Sequence, residues 1–132
     1  MSFELVVQTV VYQALSASAE LAQLVTGVYD AVPQWQAFPY VTIGEDSHNE
    51  WDTVTTNGSD CTITIHSWSR ERGRSEIKQI QGAIYDALHN ADVTHNGYRI
   101  ESVQWLGSES FMDQDGLTRH GVSTFRVMLD KA

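Results

Sequence analysis

Residues 59–68, SDCTITIHSW, alternate without interruption: Cys61, Ile63 and Ile65 are apolar, while Thr62, Thr64 and His66 are polar. Side chains on a strand point to opposite faces in turn, so this stretch must place one face in a core and the other toward water. The pattern returns in residues 121–129, GVSTFRVML, where Phe125, Val127 and Leu129 alternate with Thr124, Arg126 and Met128. Strands of this kind belong to an antiparallel sheet with one covered face and one open face.

The cover is supplied by helical segments. Residues 3–25 repeat apolar side chains at three- and four-residue spacing (Phe3, Val6, Val7, Val10, Ala14, Ala17, Leu21, Leu24), and Ser2 is available as a cap. Ser16 and Ser18 offer a division into two shorter helices, and Gly27 is a stop. Residues 75–89 give the clearest helix, with Ile77, Ile80, Ile84, Ala87 and Leu88 on one stripe.

Residues 28–38 read as a loop, and Pro39 opens a short strand in which Val41 and Ile43 share a face. Residues 45–60 are polar and acidic, and Asn57-Gly58 within them predicts a type I′ hairpin turn. Asn96-Gly97 turns the chain into a third strand region, YRIESVQWL, and Asp115-Gly116 marks a second hairpin. The predicted order is α-β-β-α-β-β. This is an α+β fold, a largely antiparallel sheet with helices packed on one face, spanning residues 1–132 as one domain.

Composition narrows the function. The formal charge of −9 opposes broad affinity for DNA or anionic membrane. A single cysteine, Cys61, rules out an internal disulfide. The first residues lack a basic stretch ahead of an apolar one, and no run approaches membrane-spanning length, so a reducing cytoplasm is the expected place of synthesis and folding.

Signs of catalysis are missing. The histidines His48, His66, His89, His95 and His120 do not fall at metal-ligand spacing. No phosphate-binding loop, dinucleotide fingerprint or nucleophile elbow is present. Cys61 stands on the inward face of its strand, where a free cysteine acts as a small hydrophobe. Glu45-Asp46 and the pair Asp113 and Asp115 suit solvated loops. The expectation is a non-enzyme with no catalytic, cofactor-binding or metal site.

One stretch stands against the acidic background. In HSWSRERGRSEIK, Arg70, Arg72, Arg74 and Lys78 supply half of the chain's 8 basic residues. Arginines just before a helix oppose its positive N-terminal dipole, by about 0.3–1 kcal/mol each. One account is a solvated loop whose stems cover apolar surface. The other is contact with an acidic surface, for which Glu45, Asp46, Glu50 and Asp52 of a neighbouring copy are available. Nucleic acid is the third choice, because the cluster would have to overcome the field of the remaining chain.

Three segments also resemble a known family. VYDAVPQWQAFPYVTIGE, HSWSRERGRSEIKQIQGAIYDALH and DGLTRHGVSTFRVMLD are similar, in order and spacing, to blocks of the tail completion, or tail terminator, proteins of long-tailed bacteriophages and gene-transfer particles. The resemblance spans residues 14–130. It implies a structural virion protein that forms a ring, a hexamer, on the head-proximal end of the tail tube. Such a ring stops polymerisation of the tube protein and offers a surface for joining the head.

The implied partners are other copies of the chain, the tail tube protein and a head-closure or neck protein. In such a ring Arg70, Arg72 and Arg74 are expected to face the acidic segment of an adjacent copy (Glu45, Asp46, Glu50, Asp52) or the tube, rather than DNA. DNA would pass through an acidic lumen without specific binding. The implied location is the neck end of the virion tail, after assembly in the host cytoplasm. A head-closure or other neck connector, and a small ligand-binding domain, are the alternatives.

Overall fold

The computed structural model describes residues 2–132. Its elements are α1 (Phe3–Ser16), α2 (Ala19–Leu24), β1 (Val28–Tyr29), β2 (Tyr40–Glu50), β3 (Gly58–Ser69), α3 (Ser75–Leu88), β4 (Tyr98–Met112) and β5 (Arg119–Lys131). The strands form one sheet in the order β1-β2-β3-β5-β4. All pairings are antiparallel except β1 with β2.

Alternation builds the core as the sequence suggests. Cys61, Ile63 and Ile65 of β3 and Phe125, Val127 and Leu129 of β5 are buried against Val6, Val7, Leu15, Ile80, Ile84 and Leu88 from the helices. Each such side chain contributes about 1.5–3 kcal/mol by leaving water. The opposite face of the sheet carries Thr62, Thr64, His66, Trp68, His120, Val122, Thr124 and Arg126, and no described helix packs its core residues there.

The N-terminal helical segment divides between the two serines. Ser2 Oγ accepts from the Leu5 N–H at 3.2 Å to start α1, and Ser18 Oγ accepts from the Leu21 N–H at 3.1 Å to start α2. A hydroxyl that satisfies an orphan N–H favours a new helix start over continuation.

Three local expectations fail. Residues 28–38 are not all loop: Val28 and Tyr29 pair in parallel with Val41 and Thr42. The strand after Pro39 does not stop at Glu45 but runs to Glu50 through a bulge, where Ile43 pairs with Ile65 and Asp46 with Ile63. The extra residue reverses the phase of β2. Before the bulge Val41 and Ile43 point at the helices; after it Asp46, His48 and Glu50 do.

The β2–β3 hairpin exists, but its turn lies ahead of Asn57-Gly58. The Trp51 N–H donates to the Gly58 carbonyl at 3.1 Å, and the Thr53 N–H donates to the Thr56 carbonyl at 2.8 Å. Neither Asn57 nor Gly58 has the positive φ of a type I′ turn. Gly58 is required for room instead, because a Cβ there would sit 2.4 Å from the Trp51 carbonyl oxygen. The second hairpin is as predicted, with Gly116 at φ +69°.

Candidate functional site

The basic loop joins β3 to α3 and is held from both sides. Arg70 Nε donates to Thr118 Oγ1 at 3.2 Å, and its guanidinium lies 4.4 Å from the centre of the Phe38 ring. Arg119 Nη2 donates to the Arg72 carbonyl at 3.0 Å. Ser69 Oγ donates to Glu76 and Ser75 Oγ to Glu71, so both acids of the stretch are engaged within it. Arg70, although exposed, is thus engaged within the chain. The side chains of Arg72 and Arg74 are exposed and have no hydrogen-bond or ionic partner among the described residues.

The acidic candidates do not meet these arginines. Glu45 lies in the bulge and accepts from His66 Nε2 at 3.1 Å; a hydrogen bond from its own backbone N–H, and then the His66 contact, hold its carboxyl below the usual range. Asp46 contacts His48. Asp52 accepts from the Gly58 N–H at 2.9 Å. Glu50 is exposed and pairs in the ladder with Ser59, whereas Arg70 follows the far end of β3 at Ser69. At the usual rise per residue the two charged ends stand about 35 Å apart. Opposite charges so separated cannot satisfy each other within one chain.

Aromatic rings gather at the basic end, on the open face of the sheet. Trp68 stacks on His120 with centroids 3.9 Å apart, and Tyr40, Phe38 and Phe111 extend the row. His120 Nε2 and His66 Nδ1 approach to 2.6 Å. Burial, and then the neighbouring His66, lower the pKa of His120. The adjoining hairpin end is apolar and exposed: Phe111, Met112 and Leu117, the last at 63% exposure. Asp115 shapes that turn. Its carboxylate accepts from the Thr118 hydroxyl and from the N–H groups of Thr118 and Leu117, which brings its pKa down to about 2.

A second cluster lies behind the bulge. His48 Nε2 is 2.8 Å from Asp46 Oδ2 and 3.5 Å from Cys61 Sγ, and His48 Nδ1 is 3.0 Å from Ser59 Oγ. His48 and Cys61 are direct cross-strand partners. Burial, then the charges of Asp46, Asp60 and Glu4, push the Cys61 thiol up to about 12. Sequence spacing hid this group, because the hairpin joins residues 13 positions apart and only the bulge turns His48 inward.

A cleft of about 350 Å³ lies beside α1, α2 and β1, with Tyr12, Leu15, Leu21, Val25 and Tyr29 in its wall. None of its lining residues is an acid, a histidine or a cysteine. No described helix is long and apolar enough to cross a membrane.

Comparison with known proteins identifies the family. The family model of the tail completion protein gp17 matches residues 9–130. The chain belongs to that family. The tail completion protein gp17 of Bacillus phage SPP1 is 24% identical over 123 residues, covering 93% of this chain and 91% of the relative. A chain from the virion of a native gene transfer agent particle matches at 29% identity with a TM-score of 0.89, over 98% of this chain and 99% of the other. The SPP1 gp17 structure shares the fold at 22% identity, with a TM-score of 0.61 over 91% of this chain and 86% of that one. The family role is structural, in completing the phage tail.

Proposed function

We infer that copies of this chain close into a ring, a hexamer, on the head-proximal end of a tail tube. There the ring ends polymerisation of the tube protein and presents the surface to which the head is joined. It is a component of the virion and performs no catalysis.

The observation that carries this reading is the match, over nearly the whole chain, to a component of a gene-transfer-agent virion. The charge layout supports it. Arg72 and Arg74 at one end of β3, and Glu50 and Asp52 at the other, suit head-to-tail contact between copies, one face meeting a different face of the next. Such contacts fix register and speed association. The exposed Phe111, Met112 and Leu117 beside the arginines supply apolar area to the same contact. Six copies at −9 each would surround the lumen with negative charge, which lets DNA pass without adhering.

Negative-stain imaging of the purified protein mixed with preformed tubes of its own tail tube protein tests the reading. Rings seated on one end of each tube are expected. Copies scattered along the tube wall, or tube ends left bare, would contradict it.

A further inference from the structure

In the Asp46, His48 and Cys61 cluster the first two residues sit on the same strand as Glu50 of the acidic arm, but the chemistry of the cluster is not required by the assembly reading. A carboxylate oxygen of Asp46, a ring nitrogen of His48 and Cys61 Sγ all lie within 4.8 Å of one another. Donor atoms on a tetrahedral zinc ion stand about 3.3–3.6 Å apart, from the bond lengths to nitrogen, oxygen and sulfur. The Nε2–Sγ separation of 3.5 Å already matches, and the Nε2–Oδ2 contact of 2.8 Å needs a small opening of the Asp46 side chain.

Three further features suit a cation. Ser59 Oγ, buried at 3% exposure, contacts His48 Nδ1 at 3.0 Å. A metal-binding imidazole needs this kind of outer partner, since it keeps the proton on Nδ1 and leaves Nε2 free to ligate. The negative field of Asp46, Asp60 and Glu4 converges on Cys61, with Asp60 itself bound to Arg126. A bare thiolate is costly in that field, whereas one bound to a divalent ion is stabilised. Lastly, a surface depression of about 250 Å³, lined by Phe3, Glu4, His48, Asn49, Glu50 and Ser59 among others, reaches His48 from solvent, so water can supply the remaining position.

We propose that Asp46, His48 and Cys61 form a binding site for one divalent ion of borderline softness, zinc in class, that pins the acidic arm of β2 onto β3. Mixed nitrogen, sulfur and oxygen donors select such an ion over magnesium or calcium. Binding releases one proton per ion, from the Cys61 thiol. With the ion on Nε2, His48 carries its proton on Nδ1 and donates a hydrogen bond from it to Ser59 Oγ.

Cobalt(II) titration of the metal-free full chain, followed by absorption, tests the proposal. Cys61 is the only cysteine in the sequence, so a thiolate-to-cobalt charge-transfer band can arise nowhere else. The expected result is a band that saturates at one equivalent and is bleached by zinc. His48→Ala should weaken cobalt binding at least tenfold, and Cys61→Ser should abolish the band. Circular dichroism confirms that each variant is folded. The proposal is overturned if no band develops with excess cobalt, if cobalt binds without a thiolate band, or if folded His48→Ala and Asp46→Ala both titrate like the wild type.

Discussion

His120 Nε2 and His66 Nδ1 face each other across 2.6 Å, a separation that suits one proton between them, and Trp68 covers the His120 ring. Doubly protonating both rings would put two donors face to face. The pKa of His120 is lowered by burial and by His66, against the opposing pull of Asp113, Glu45 and Glu109. A base with a depressed folded value gives stability that is complete above its ordinary value, about 6.5, and is lost as the pH falls through the lowered one. Urea midpoints measured from about pH 8 to pH 5 should hold steady to about pH 6.5 and then drop. His120→Gln should flatten that drop, and an unchanged profile would separate His120 from the effect.

The arginines divide by role. Arg72→Glu with Arg74→Glu should leave the melting temperature within about 2 °C, because neither side chain has a partner within the chain. The same pair should weaken self-association at least tenfold, with less effect at high salt, where the wild-type contact is itself screened. Arg70→Glu should instead lower the melting temperature, by removing the bond to Thr118 and the cover over Phe38. Sedimentation across a concentration series alongside thermal melts distinguishes the two.

Much of the fold is legible in the sequence where periodicity is strong. The alternation of Cys61, Ile63 and Ile65 and the stripe of Ile77, Ile80 and Ile84 predict both the elements and the faces they bury. Pairing that adds no periodicity is invisible, so the two residues of β1 read as loop. A bulge defeats pattern reading differently. One extra residue at Gly44-Glu45 turns Asp46, His48 and Glu50 toward the helices, although their surroundings in sequence are those of a polar loop. Charge counting finds the basic stretch but not the division within it, because only the fold brings Thr118 and Phe38 to Arg70. The contact of His66 with His120, 54 positions apart, likewise depends on strand register.

Gly58 is a matter of space. Gly58→Ala would drive a Cβ against the Trp51 carbonyl, a backbone atom that cannot rotate aside. A loss of about 1–3 kcal/mol is expected from such overpacking, read from the urea midpoint. A type I′ turn at Asn57-Gly58 would instead put the penalty on backbone conformation. Gly58→Ala and Gly58→Ser would then cost the same, whereas steric exclusion makes the larger side chain worse.

Leu117 tests the apolar end of the β4–β5 hairpin. It is 63% exposed, so Leu117→Asp should change monomer stability by no more than about 0.5 kcal/mol. Burying the new carboxylate in a contact between copies should reduce ring formation at least tenfold, read by light scattering. Normal rings from this variant would remove the hairpin end from the interface.

The central claim concerns where growth stops. Tube protein should be polymerised with and without this chain present from the start, and tube lengths measured by electron microscopy. The account predicts that added chain shortens the tubes in proportion to its amount and that each tube bears a ring at a single end. Lengths independent of added chain, with rings absent from the ends, would contradict it.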